Sequence, residues 1–361
     1  MQATSRAATL VAPGQLEIRE YPVPDVGRDG ALLAIELGGA CGTDVKYYRG
    51  RIDLPLPAIL GHEILGRVAA IGPDAARAHG VSEGDRVILK GSRGCGRCGS
   101  CLRGCPRLCK QRTLYGGLMT SAEPPHLLGG FADYLYVMPD ALLLPISESL
   151  SGEAAVVIAS VMANGFQWAV RQGGATIGSY VVIQGPGQQG LACTFAARQA
   201  GAARIVVTGL ARDRSRLELA RQWGADRVVV VDEEDIVEIV DEETSGELAD
   251  VVVDVSGSPQ AVLASIDCLR PQGTLVLAGL SGSTTTTPLL LDRIVWKELR
   301  IQGAFTADSD AVVATLRLVE ATGFPVQDMV SHTFLLEDTA RCIEAIEGLH
   351  GPLPTKAVIK P

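Results

Sequence analysis

Apolar and polar positions change period near the middle of the chain. From Ala8 to about Val137, short β-type runs (Ala31 to Leu37, Gly66 to Ile71, Arg86 to Leu89, Ala132 to Val137) alternate with clusters of Gly, Pro and Asp, the punctuation of a mostly-β region. After about Ser147, strands alternate with helical stretches. Tyr180 to Gln184 leads into a helix reaching Ala200, Arg204 to Thr208 into a helix reaching Trp223, and Arg227 to Val231, Asp250 to Val255 and Thr274 to Ala278 complete the series. Such alternation predicts a parallel, doubly wound sheet with helices on both faces. Beyond Ala304 the pattern predicts helices around Ala311 to Glu320 and Leu336 to Glu347 and a last strand Ala357 to Ile359, a tail expected to return to the first domain. Ile236, Val237, Ile239 and Val240 interrupt the acidic run Asp232 to Glu243 at helical spacing, so the run is read as a solvated helix face.

A length of 361 residues favours two domains. The periodicity places them at 1–150 with 304–361, and at 151–303, an α/β chain with one mostly-β domain. Hydrophobic residues make up 47% and charged residues 20%, an ordinary globular balance. The formal charge of -9 argues against nucleic acid as a partner, because phosphate backbones are held by clustered Lys and Arg. The longest apolar run, Ala154 to Ala159, falls far short of the roughly 18 residues of a spanning helix, so no membrane partner is expected. The segment Met1 to Arg6 lacks the apolar core of a secretory signal, which points to the cytoplasm. In that reducing compartment nine cysteines are metal ligands or buried small hydrophobes.

Cys95, Cys98, Cys101 and Cys109 form C-x2-C-x2-C-x7-C within the glycine-rich loop Gly94 to Gly104. Four thiolates so close in sequence can enclose one tetrahedral zinc with no open position, the requirement of a structural site. An iron–sulfur cluster is the alternative. Cys105 is the spare.

Upstream, Gly39-Ala40-Cys41-Gly42-Thr43-Asp44 and Gly61-His62-Glu63 place a thiolate, an imidazole and a carboxylate on two turns. Thiolate and imidazole make a partial zinc shell, and Asp44 is expected to accept the other ring N–H of His62. Each turn alone is weak evidence; their order ahead of the cysteine loop strengthens both.

Gly185-Pro186-Gly187-Gln188-Gln189-Gly190 follows a predicted strand and opens a predicted helix. In that setting G-x-G-x-x-G presents backbone N–H groups and a helix N-terminus to a pyrophosphate. NAD sites usually place an acid at the end of the next strand, where Gly209 stands instead. Arg212, Arg214 and Arg216 follow, and guanidinium groups suit a 2′-phosphate, so NADP(H) is favoured over NAD(H).

With these pieces, together with Gly84-Asp85-Arg86-Val87 and Lys356 before the last strand, nearly the whole chain resembles the zinc-containing medium-chain dehydrogenase/reductase family. The resemblance implies a GroES-like catalytic domain built from both ends of the chain, a Rossmann domain between, and a homo-oligomer, dimer or tetramer. It implies a catalytic zinc on Cys41, His62 and a third ligand, with Glu63 nearby. It also casts Thr43 as the hydroxyl that passes on the substrate proton, and Lys46 where many members end that relay with a histidine.

One stretch departs from the family pattern. Ser160 to Gly165 aligns with a segment in which many members carry a Cys ligand, followed four residues later by a Thr-Gly pair at the nicotinamide. Ser160 replaces that cysteine and Asn164 the threonine. In members with a Glu-Pro ligand pair the alignment gives Ile158-Ala159, which cannot bind metal. A neutral hydroxyl is a poor zinc ligand, so the second site holds its metal weakly, recruits Glu63, or is absent.

Two enzymatic readings follow: a zinc-assisted dehydrogenase moving hydride between a nicotinamide cofactor and an alcohol or carbonyl substrate, and a zinc-free reductase of the same fold acting on a carbonyl or a conjugated double bond. A nucleotide-sensing or scaffolding protein that keeps the fold but has lost its chemistry is the non-enzymatic alternative. Tyr47, Tyr115, Phe131 and Trp296 are candidate pocket walls or core aromatics.

Overall fold

At the start of Thr4–Ala12, Ser5 and Ala7 are inside and Thr4 and Arg6 outside, the period of two of a half-covered strand, and from Ala7 to Leu10 the strand is buried on both faces. The computed structural model describes residues 3–139, 141–282 and 285–361. Thr4–Ala12 pairs antiparallel with Gln15–Pro22, a hairpin upstream of the first expected strand run, and with Ala58–Ile59. In a larger sheet, Ala31–Ala40 lies between Glu63–Ile71 and the last strand, Lys356–Lys360, antiparallel to both. The register sets Gly39 opposite Glu63, Glu63 opposite Lys90, and Ala40 opposite Ala357. Leu33, Ile64, Val87, Leu89 and Leu135 are sealed in this unit's core.

The second unit carries six parallel strands in the order Arg227–Val230, Arg204–Gly209, Tyr180–Gln184, Ala249–Asp254, Leu269–Leu277, Arg300–Gly303. Numbered within the unit the order is 3-2-1-4-5-6, the dinucleotide-fold arrangement, whose crevice lies beyond the carboxyl ends of the first strands. The expected strands are present, and Arg300–Gly303 is an additional one. Its sequence is polar and mostly exposed at the sheet edge, so it lacks the apolar run by which buried parallel strands are found. The helix Ile236–Thr244 buries Ile236, Ile239 and Val240, and Asp235 caps it by accepting from the N–H of Val237 at 2.8 Å, in agreement with the solvated-face reading of the acidic run.

The units comprise residues up to 160 with 308–361, and 161–307. The tail does return to the first unit, but the boundaries differ from the expected 150/151 and 303/304. Ser151 caps Gly152–Val157 through Ala154 N–H, and this helix packs on Ala31–Ala40 and Glu63–Ile71, which keeps it in the first unit. At the other end, Ala304 N–H bonds Leu277 and Ala307 N–H bonds Asn164, which keeps 304–307 in the second. The helical run Gly152–Gln172 is long and apolar enough to cross a bilayer by composition, but its window is 78% buried within the protein. Its apolar surface is accounted for by packing.

Candidate functional site

Cys41 occupies the N-cap of the helix Gly42–Tyr48, a place usually given to Ser, Thr or Asp. Its sulfur accepts from Thr43 N–H at 3.3 Å, while Asp44 Oδ2 accepts from Cys41 N–H at 2.9 Å. This is a capping box with a thiol in the hydroxyl's place, and the cap fixes the thiol's direction. His62 immediately precedes the Glu63–Ile71 strand, and its Nε2 lies 3.3 Å from Cys41 Sγ. A carboxylate oxygen of Glu63 completes a set whose donor atoms all fall within 4.8 Å of one another.

Zinc–sulfur and zinc–nitrogen bonds of about 2.3 and 2.0 Å place tetrahedral donors about 3.5 Å apart, so the Cys41–His62 spacing suits a shared ion. The charges suit one too. Burial disfavours the His62 imidazolium, yet Cys41, Asp44 and Glu63 outweigh burial and hold its pKa up to about 10. The three acidic groups thus favour positive charge at this place. Asp44 Oδ1 stands 3.7 Å from His62 Nδ1, and neither atom has a hydrogen-bond partner. Asp44 therefore faces the expected ring nitrogen, but the expected hydrogen bond is not formed at this distance.

Glu63 also ion-pairs with Lys356, and both side chains are fully enclosed. Nothing in the local sequence pairs these residues; only the strand order brings them together. Thr43 and Lys46 lie half-buried on the helix that Cys41 caps. Ser160 is half-buried on the π-helical turn Ile158–Met162, where Ile158 and Ala159 are buried and apolar. Among the described Cys, His, Asp and Glu residues, Glu63 is the third donor at this site. Tyr47, Tyr115 and Phe131 are core residues, each no more than 5% exposed, whereas Trp296 is 79% exposed.

The four cysteines of the loop converge as their spacing predicts. The ladder Ser92–Arg93 with Thr113–Leu114 closes the loop's base, and Cys98 Sγ lies 3.6 Å from Cys101 Sγ and 3.7 Å from Cys109 Sγ. Thiolates around one zinc sit about 3.8 Å apart. Backbone N–H groups of Arg97 and Cys98 hold the Cys95 thiol down to about 6, and Cys109 Sγ accepts from Cys95 and Gln111 N–H at 3.4 and 3.3 Å. Such bonds stabilise thiolates, the form that binds metal. Cys105 points elsewhere, its sulfur 3.8 Å from Arg103 O.

In the second unit, Gly185 to Gly190 joins Tyr180–Gln184 to the helix Gln188–Gln199. A side chain at Gly190 would overlap the carbonyl of Gly185, whereas one at Gly187 would enter open space. Helix and strand thus need a glycine for close packing, and the space above the helix start is free. Gly187 is the N-cap and no side chain caps the helix, so its first N–H groups and positive dipole end are available to an anion. The side-chain oxygens of Gln188 and Gln189 and Nε2 of Gln184 are buried without partners. These features fit a dinucleotide.

At the next strand end, a Cβ on Gly209 would lie 2.8 Å from the ring of Pro186. The proline inside the fingerprint occupies the space that an acid's stem would need. Arg212 is exposed, Arg214 bonds Glu233 at 2.5 Å, and Arg216 bonds Asp213 at 3.2 Å. Two of the three arginines that favour NADP(H) in the sequence are thus ion-paired. Asn164 Oδ1 accepts from Ala307 N–H at 2.8 Å and from Thr306 at 3.3 Å, so its carbonyl is committed to holding that segment rather than free for a cofactor.

Comparisons with known proteins agree with this arrangement. An alcohol dehydrogenase GroES-like domain matches residues 27–148, and a zinc-binding dehydrogenase domain matches 190–321. The chain is 38% identical to a probable alcohol dehydrogenase of Mycobacterium tuberculosis over 98% of its own length and 97% of the relative's. It is 33% identical to a sorbitol dehydrogenase of Bacillus subtilis, covering 83% of this chain and 82% of that one. The crystal structure of an alcohol dehydrogenase from Thermotoga maritima superimposes with a TM-score of 0.91 at 26% identity, over 99% of this chain and 100% of that one. With its two domain types, its paired metal-donor clusters and its 3-2-1-4-5-6 sheet, the chain belongs to the zinc-containing medium-chain alcohol dehydrogenase family.

Proposed function

We propose that this protein is an NAD(P)-dependent alcohol dehydrogenase that interconverts an alcohol and its carbonyl compound with the help of a zinc ion held by Cys41, His62 and Glu63. The observation that carries this reading is the 3.3 Å approach of Cys41 Sγ to His62 Nε2 with the Glu63 carboxylate in the same enclosure. A zinc ion held by these residues would supply Lewis acidity to a substrate oxygen and so lower the pKa of its hydroxyl. A nicotinamide cofactor held at Gly185 to Gly190 would supply the hydride acceptor or donor, with the same chemistry in NAD(H) and NADP(H).

The chain's own residues do the rest. The capping box aims the Cys41 thiolate, and Asp44 keeps negative charge on the Nδ1 side of His62, which favours Nε2 as the ligating nitrogen. Thr43, one residue along from the helix's first position, offers the hydroxyl that moves the substrate proton, and Lys46 lies one turn further towards the helix end. Cys95, Cys98, Cys101 and Cys109 would hold a second, structural zinc.

The neutral Ser160 supports a second reading, a reductase of the same fold that works without zinc at Cys41. Metal analysis separates them: two zincs per chain and alcohol oxidation lost in Cys41→Ala support the dehydrogenase. One zinc and unchanged turnover in that variant would replace it with the reductase.

Among the described residues the edge strand Arg300–Gly303 pairs on one side, and Leu290, Leu291, Val295 and Trp296 beside it in sequence are exposed. This supports a homo-oligomer, dimer or tetramer, that covers the edge, testable by sedimentation. Nine free cysteines suit the cytoplasm.

A further inference from the structure

The ends of two neighbouring strands carry a carboxylate that the usual strand-end position lacks. Gly209 cannot take an acid without displacing the ring of Pro186. Its carbonyl instead accepts Val231 N–H at 3.0 Å, which draws the end of Arg227–Val230 alongside the turn 210–213. There Asp232 Oδ2 accepts Ala211 N–H at 2.7 Å. Asp232 is exposed, and its Oδ1 has no partner among the described residues. It therefore presents a free carboxylate oxygen two residues of backbone away from Gly209.

The nearby cations are largely neutralised. Arg214 is on Glu233, Arg216 is on Asp213, and Asp232 opens an unbroken acidic stretch through Asp235. Arg212 is left to face a 2′-phosphate that carries close to two negative charges. A carboxylate accepts a ribose hydroxyl well and repels a phosphate at the same place.

We propose that Asp232 is the specificity-determining residue for the adenosine ribose, supplying from the third strand the acid that Gly209 cannot carry, and that the protein prefers NAD(H) over NADP(H). The assignment rests on the dinucleotide reading of Gly185 to Gly190.

Fluorescence titration of the full chain with NADH and NADPH tests it without turnover. NADH should bind at least about tenfold tighter. Asp232→Asn keeps an acceptor for Ala211 N–H but removes the charge, and should narrow that ratio about fivefold or more at an unchanged melting temperature. Adding Glu233→Gln frees Arg214 and should shift the ratio further towards NADPH. With no variant at all, AMP should displace NADH at concentrations where 2′-phospho-AMP does not. Equal or tighter NADPH binding by the native chain, or a ratio unmoved by Asp232→Asn, overturns the assignment and leaves the dinucleotide reading standing. Binding of neither dinucleotide sinks both.

Discussion

Glu63 and Lys356 form an ion pair with side chains 1% and 0% exposed. They lie at the start of the Glu63–Ile71 strand and of the last strand, on either side of Ala31–Ala40. Lys356 Nζ also donates to Ala40 O at 2.9 Å, and a side chain on Gly39 would collide with the Glu63 carboxylate. The chain's last strand therefore fixes a carboxylate beside Cys41 and His62, and the ammonium balances one of the negative charges gathered there.

Breaking this pair leaves a buried charge unmatched. Lys356→Met should cost about 3–5 kcal/mol in denaturant unfolding. Adding Glu63→Gln should recover part of the loss, because the carboxylate is then gone as well. A Lys356→Met protein as stable as the native chain would contradict the enclosed geometry.

The four-cysteine loop has its sulfurs at tetrahedral spacing, so Cys98→Ser should lower zinc content by about one ion per chain and lower stability, since a structural zinc contributes folding free energy. Elemental analysis and a melting curve on the same sample read both quantities.

The site at Cys41 carries one thiolate against four in the loop. Graded chelation should empty it first. Ser160→Cys should raise zinc retention if residue 160 reaches the ion, and Cys41→Ala should remove the labile zinc alone. Loss of the loop zinc before the labile one would reverse the ranking.

Gly190→Ala sets a methyl group against the Gly185 carbonyl, so helix and fingerprint must move apart. Dinucleotide affinity should fall by about tenfold or more, with a lower melting temperature. Retained affinity in this variant would show that the close approach is not needed.

Hydrogen bonding to Arg204 and, against the opposing effect of burial, to Arg227 and Tyr180 holds the Glu243 carboxyl down to about 2. A carboxyl depressed in the folded state stabilises fully above its ordinary value, near 4.5, and loses that contribution as pH falls through 2. Glu243→Gln should therefore be less stable than the native chain at pH 7, on the order of 2 kcal/mol, with the gap closing between about 4.5 and 2. Acid titration of unfolding for the two proteins measures it, and a pH-independent gap would count against the ion network.

What the sequence by itself determined is what depends on neighbours along the chain. Cys95, Cys98, Cys101 and Cys109 converge because so few residues separate them, and Gly185 to Gly190 sits between a strand and a helix whose periods are local. Tertiary structure decided whatever depends on strands meeting. Lys356 reaches Glu63 only because the last strand lies against Ala31–Ala40, and Asp232 reaches Ala211 only because the second and third parallel strands run side by side. The polar edge Arg300–Gly303 and the domain boundary after Ser160 escaped the pattern for a related reason. An edge strand need not be apolar, and a helix belongs to whichever core its buried face meets, which no local period encodes.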